Sequence, residues 1–315
     1  MDFVRCSLHI ASDRSAVIYE AMRLDDVDAI VPRIGSSHAA YGAAVVQQFQ
    51  LMGVASTNSA EAIRCAHDKL RCLQLLAAEG VGLPATGFAH ASSDLIKLVD
   101  AVGGAPLIVK LLGQEPGGGI LLANTPASAE AVIEAFQGLD ARSLVQEFIE
   151  QAAGISLRCL VIADRVVAAV ERRAPAGEFR SNLHRGGKAF PVKLSALETA
   201  TALRAANTLG LQVAGVDLLQ SPRGPLVIGV NSTPELESIQ RTTGIDVAEQ
   251  IFAHLESRLV PKAPREPSRR FDYATAQRIE LAAECDTLAS AALELAWLGG
   301  NQPDAPAASD CSVTT

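Results

Sequence analysis

Short apolar blocks alternate along this chain with longer segments whose apolar residues recur at helical spacing, and glycine, proline or a capping residue marks most of the boundaries. DAIVPRIG (28–35) reads as a buried strand running into a loop, and the spacing over 39–52 predicts a helix behind it. A second helix is expected from Asn58, an N-cap with Glu61 three residues on, to Gly80, Gly82 and Pro84, which puts Asp68 and Lys69 in mid-helix. TGFAH (86–90) and PLIVKLL (106–112) read as strands around a short helix capped by Ser92 or Ser93. A glycine-rich turn, GQEPGGG (113–119), then enters the strand ILLAN, and Thr125 with Pro126 opens a helix running toward Gly138. SLVQEFI (143–149) is the next strand. LRCLVIADRVVAAVERRA reads as a hairpin turning at Asp164 and Arg165. Ser195 and Glu198 start a helix that ends at Gly210, and VAGVDLLQSPRGPLVIGVN is a second hairpin turning over 221–224. There is no internal repeat, and strands alternating with capped helices predict layered α/β or α+β packing.

Past Pro261 the pattern changes to PKAPREPSRR, rich in proline and base, which suits a linker. Residues 273–298 then carry Ile279, Ala282, Leu288, Ala292, Leu295 and Leu298 at helical spacing, before a polar tail over 301–315 that reads as disordered. With 315 residues, 49% of them hydrophobic, two or three subdomains are expected. The formal net charge of -8 disfavours nucleic acid as a primary ligand. The first thirty positions hold Asp2, Asp13, Glu20, Asp25 and Asp26 in place of an apolar signal core, and no long apolar run follows, so a soluble, unexported, cytoplasmic chain is expected. Cys6, Cys65, Cys72, Cys159, Cys285 and Cys311 form no C-x-x-C pair and read as reduced thiols, with Cys65 and Cys72 on one face of one helix.

Three features carry candidate chemistry. Lys110 ends an apolar strand just before the glycine-rich turn, where amides and an ammonium could cradle a triphosphate; a plain hairpin turn is the bland alternative. Asp217 on one strand of the late hairpin and Asn231 at the end of its partner are oxygen donors that could converge on Mg²⁺, or are simply turn-side polar residues. ERRAPAGEFRSNLHRGG (171–187) gathers Arg172, Arg173, Arg180, His184 and Arg185 beside glycines, either an anion site or a solvated basic loop.

Taken in order, these features resemble the RimK-type ATP-grasp ligases, a family that includes ribosomal protein glutamate ligase. The resemblance covers roughly 31–256, through VPRIG, IRCAHDKLRCLQLL, VGGAPLIVKLL, LVQEFI, RCLVIADRVVAAVERRA, FRSNLHRGG, VAGVDLL and VNSTPELESI. It implies an α+β ATP-grasp fold, two lobes gripping Mg-ATP (or Mn-ATP) behind a smaller N-terminal α/β domain. The corresponding boundaries are 1–57 for that domain, 58–260 for the ATP-grasp domain with lobes of about 85–147 and 148–260, and 261–315 for linker, helix and tail. By resemblance, Lys69 and Lys110 hold the phosphates, Glu147 and Phe148 form the adenine hinge, and Asp217 and Asn231 ligate metal. Arg180, Ser181 and Asn182 resemble the segment that meets the phosphates and the activated carboxylate, with Arg180 and Asn182 as catalytic candidates. The implied activity joins glutamate, or a similar amino acid, to a protein or peptide carboxyl terminus through an acyl phosphate. A ribosomal protein is one candidate acceptor, no membrane partner is implied, and the 273–298 helix offers a face for self-association.

The chain departs from the family pattern in four places. Gly229 stands where the family has a metal-binding glutamate, with Glu235 or Glu237 as conceivable substitutes, and Ser156 stands where it has an aspartate near the nucleotide. Gln114, Glu115 and Pro116 alter the glycine-rich turn, and the N-terminal segment reads as shortened and without its opening strand. A pseudoenzyme that binds nucleotide or peptide without efficient turnover is therefore the alternative to an active ligase.

Overall fold

The computed structural model describes residues 1–259 apart from 13, 113–118, 139–141 and 184–185. The chain divides into two units, Met1–Ala263 and Pro264–Thr315. The second lies wholly outside the described residues, and with it the 273–298 helix and the polar tail.

The N-terminal part is built on strands β1 (Cys6–His9), β2 (Ala16–Tyr19) and β3 (Met22–Arg23), an antiparallel sheet in the order β1-β2-β3. The sequence reading places no strand before residue 28, and β1 escapes it because only alternate side chains of so short a segment are buried. Strands β4 (Ala29–Ile30) and β5 (Ala55–Ser56) pair in parallel around helix α1 (Ala39–Leu51). Val45 and Phe49 of α1 pack with Cys6, Val17 and Val54, while Ala43 and Val46 pack with Ile34, Ala60 and Ile63. One helix therefore joins the small sheet to the next element.

That element is two helices, α2 (Ala60–His67) and α3 (Lys69–Ala78), instead of the single one expected. Asp68 is extended at ψ 92° and its carboxylate accepts from Arg71 N. Aspartate competes for backbone donors more effectively at a cap than inside a helix, so the local hydrogen bond stops α2 and starts α3. The N-cap of α2 is Ser59, which accepts from Ala62 N. Asn58 does something a local reading cannot show. Buried 1% exposed, its side-chain oxygen accepts from Gln212 N (2.8 Å) and Val213 N (3.0 Å), and its amide donates to Val213 O and Ser232 O.

Two sheets follow. The first uses β6 (Thr86–Phe88), β7 (Leu107–Leu111), β8 (Ile120–Ala123) and β9 (Ser143–Glu147) in the order β6-β9-β7-β8, covered by α4 (Ser92–Lys97) and α5 (Pro126–Gly138). Ala91, not a serine, sits at the cap of α4 and makes no side-chain bond. Thr125 does cap α5, its hydroxyl accepting from Ser128 N. Leu107, Val109 and Val145 pack with Leu95 of α4, Ile133 of α5 and Val99 just past α4. Each such large side chain, fully buried, contributes roughly 1.5–3 kcal/mol.

The second sheet uses β10 (Ile155–Ile162), β11 (Arg165–Arg173), β12 (Lys188–Pro191), β13 (Val213–Ser221) and β14 (Gly224–Asn231), all antiparallel in the order β12-β11-β10-β13-β14. Helix α6 (Ala196–Thr208) starts with the expected Ser195/Glu198 capping box. It packs Ala202, Ala205 and Ala206 against Leu157, Cys159, Val216 and Leu218 of the sheet. Cys65 and Cys72 lie in that core although they belong to different helices. Helices α7 (Glu237–Thr243) and α8 (Val247–Ser257) cover the opposite face through Ile239, Val247 and Ile251. Among the described residues no helix is long and apolar enough to cross a membrane.

Candidate active site

A single cleft between the two sheets is lined by Lys69, Lys110, Glu147, Phe148, Ser156, Arg180, Ser181, Asn182, Gly229, Asp217 and Asn231. The side chains that the family resemblance assigns to nucleotide or metal therefore meet in one place, although they span 163 positions from first to last in a chain of 315. His184 and Arg185 of the basic segment, and Gln114, Glu115 and Pro116 of the turn, lie outside the described residues.

Each wall has its own logic. On β7, Lys110 stands between Leu144 of β9 and Ile120 of β8, an ammonium with apolar neighbours on both sides. Burial pushes its pKa down to about 8, the neighbouring charge of Lys69 pushes the same way, and Asp217 opposes. Lys69, the first residue of α3, is also lowered by burial. Neither lysine has a hydrogen-bond or ion-pair partner among the described residues. Where β9 ends, Glu147 N donates to Ala85 O, and its carboxylate accepts from Ala85 N (3.0 Å) and from Arg223 of the β13–β14 turn. The following Phe148 ring meets Phe179 edge-on at 6.4 Å.

The floor is set by antiparallel register. Ser156 is opposite Arg172, Arg158 is opposite Asp217, and Asp217 is opposite Gly229. Residues two apart on a strand share a face, so these side chains form one row across four strands. Arg158 grips Asp217 in bidentate fashion, Nε to Oδ1 at 2.8 Å and Nη2 to Oδ2 at 2.6 Å, and Arg172 Nη2 reaches Oδ1 at 2.8 Å. Arg172 also donates to the Ser156 hydroxyl, which in turn lies 2.6 Å from that of Ser181. Burial raises the pKa of Asp217, but the two guanidinium charges outweigh it and hold the carboxyl below its ordinary value. Asp217 is thus a fully engaged carboxylate, and Gly229 beside it leaves open space, since a Cβ built there meets nothing within 4 Å. Glu235 and Glu237 do not line the cleft.

The basic segment divides. Arg172 points into the cleft, whereas Arg173, on the other face of β11, is exposed, pairs with Glu171 and stacks on Phe190. Arg180 is held by Glu178 through three hydrogen bonds, which push the Glu178 pKa down to about 2, and it donates to Ile120 O on the opposite sheet at 3.1 Å. At Gly187 a Cβ would lie 3.0 Å from the carbonyl oxygens of Ser181 and Asn182, so any larger residue would push against the chain where it folds back. Arg158 escaped the sequence reading. Its signal was a lone charge in the apolar strand LRCLVI, a position where an arginine is seldom tolerated without a partner.

Family comparison agrees with this geometry. The RimK-like ATP-grasp domain matches residues 66–255, and the RimK PreATP-grasp domain matches residues 1–63. The chain belongs to the RimK ATP-grasp family. A "probable alpha-L-glutamate ligase" of Picosynechococcus sp. is 54% identical over 261 residues, 83% of this chain and 87% of that protein. Among solved structures, a RimK domain ATP-grasp protein from Sphaerobacter thermophilus superposes with a TM-score of 0.58 at 24% identity, over 73% of this chain and 82% of its own. The ATP-grasp ligase PsnB, complexed with a minimal precursor, Mg and ADP, superposes at 0.61 with 17% identity, over 81% and 88%. Both confirm the ATP-grasp fold. This RimK-type chain is an enzyme of the ATP-dependent ligase class, and the comparisons lend the pseudoenzyme alternative no support.

Proposed function

We propose that this protein links L-glutamate to the carboxyl terminus of a protein or peptide at the expense of ATP. The observation that carries the reading is the convergence of Lys69 from α3 and Lys110 from β7 on the row Ser156, Arg158, Arg172 and Asp217. Two ammonium groups without described partners, facing guanidinium groups in a partly dry cleft, are prepared for a polyanion and hold no fixed anion of their own. Phe148 and the hinge after Glu147 would take the adenine, and the lysines the phosphates. The acceptor carboxylate oxygen attacks the γ-phosphorus, the bond to the ADP oxygen breaks, and an acyl phosphate forms. The glutamate amine then attacks the acyl carbon, phosphate leaves, and the amine proton passes to solvent or phosphate. Cations around the transferred group stabilise the charge that develops, and closure of the two sheets over the cleft excludes the water that would hydrolyse the intermediate.

The name of the relative from Picosynechococcus supports glutamate, and the precursor-bound PsnB complex supports a peptide acceptor. Two measurements test the reading: release of ADP in the presence of glutamate and a carboxyl-terminal peptide, and trapping of the intermediate with hydroxylamine as a hydroxamate. The reading predicts ADP release that needs both substrates. Release independent of any amino acid, or glutamate left unincorporated by mass spectrometry, would overturn it.

A further inference from the structure

We propose that this protein grips the triphosphate through a fixed set of side-chain cations, without a divalent metal ion held by the protein itself. The inference rests on the ATP-binding reading above and departs from the metal site expected at Asp217 and Asn231. A hard cation such as Mg²⁺ is bound by converging oxygen donors, usually including carboxylates. Among the described residues there is no group of three His, Cys, Asp or Glu side chains that could hold a metal ion. Asp217 is the carboxylate on the cleft floor, and both its oxygens are occupied by Arg158 and Arg172. A cation arriving there would sit against two guanidinium groups. Across the β13–β14 ladder Gly229 supplies no side-chain donor, the space in front of it is open, and Asn231 two residues on brings to the cleft an uncharged amide and no carboxylate. Glu147 faces Arg223 and Ala85, and Glu235 acts on Arg158 and Arg172 only through its charge, from outside the cleft lining.

With Arg180 paired to Glu178 and Glu147 to Arg223, the described residues left to face the nucleotide are four cations, Lys69, Lys110, Arg158 and Arg172, against the carboxylate of Asp217. Each guanidinium carries five N–H donors. Asp217 and Ser156 use only part of them, so Arg158 and Arg172 retain donors for phosphate oxygens while staying anchored. Charge that a metal would neutralise elsewhere is neutralised here by fixed, short-range ionic hydrogen bonds.

The test is calorimetric titration of the full chain with ATP, once in excess EDTA and once in excess Mg²⁺, beside a direct titration of the nucleotide-free protein with Mn²⁺ read by electron paramagnetic resonance. Affinity in EDTA within about threefold of that in Mg²⁺, or tighter, with Mn²⁺ left free in solution, is the expected result. In Gly229→Glu, where a carboxylate enters the open space opposite Asp217, Mg²⁺ should favour ATP binding by about tenfold. Wild-type affinity at least tenfold tighter with Mg²⁺, or retention of Mn²⁺ by the nucleotide-free wild type, overturns this inference while leaving the ATP site intact. Absence of ATP binding under both conditions overturns it together with the reading on which it rests.

Discussion

The four-stranded sheet brings Lys110 to the cleft with no anionic partner among the described residues, whereas the five-stranded sheet answers the charge of Asp217 with Arg158 and Arg172 and backs Arg172 with Ser156. Both walls bury ionic groups at a cost, yet only one recovers it internally. The lysine wall stores an unmet electrostatic demand that a ligand can satisfy, so its charge serves binding at the expense of stability. The arginine wall is a structural clamp whose charges keep β10, β11 and β13 in register, and its reserve donors serve binding second.

The sharpest way to break this contrast is Asp217→Ala. It leaves two buried guanidinium groups facing one another, so it should cost about 3–5 kcal/mol and lower the melting temperature by roughly 10 °C. A thermal scan within a degree or two of wild type would show that the clamp is not structural. On the other wall, Lys110→Met should do the reverse. ATP affinity should fall by the equivalent of about 1.5–3 kcal/mol, read by calorimetry, while the melting temperature at neutral pH rises by about 2–4 °C. A fall in both would place Lys110 in the fabric of the fold.

pH sharpens the same point. The pKa of Lys110 lies at about 8 in the folded protein against 10.5 for an ordinary lysine. Between those values the unfolded chain carries the extra proton, so this group's contribution to stability rises with pH across the window and is least favourable below it. Binding runs the other way, because ATP needs the ammonium: affinity should decline as pH climbs through about 8, and Lys110→Arg should flatten that decline. An unchanged profile in the arginine variant would assign the titration elsewhere. A smaller effect is expected from Ser156→Ala, which deprives buried Arg172 of an acceptor at a cost of about 1–3 kcal/mol by chemical denaturation. The smallest belongs to Arg223→Ala, since the Arg223–Glu147 pair is partly in water and is worth under about 1 kcal/mol.

Much of this architecture was legible from local pattern. The 195/198 capping box, the Thr125 cap, both late hairpins and the turn of the second, and the placement of strands around Lys110 and Asp217 depend on neighbours within a few residues, which sequence displays directly; the first hairpin turns one residue earlier than expected, with Arg165 already paired with Ile162 across Ala163 and Asp164. The family, and with it the fold and the ATP-dependent ligase class, was legible from FRSNLHRGG and its companions. Where local rules compete, pattern alone misleads: apolar spacing continues through Asp68 and predicts a mid-helix residue, yet its carboxylate makes a better cap than a helix interior. Asn58 was read as that helix's cap, whereas its side chain is spent on Val213, Gln212 and Ser232, more than 150 positions away. The partners of Asp217 were beyond any pattern. Register across four strands decides that Arg158 and Arg172 reach its two oxygens and that Gly229 faces it with no side chain. Residue types and periodicities determined which segments became strands and helices, because those choices are settled by short-range hydrogen bonding and by which face is apolar. Only the tertiary structure decided which buried charges were satisfied and which were left for a ligand, because an ionic pairing is fixed by distance in space, and separation along the chain carries no record of it.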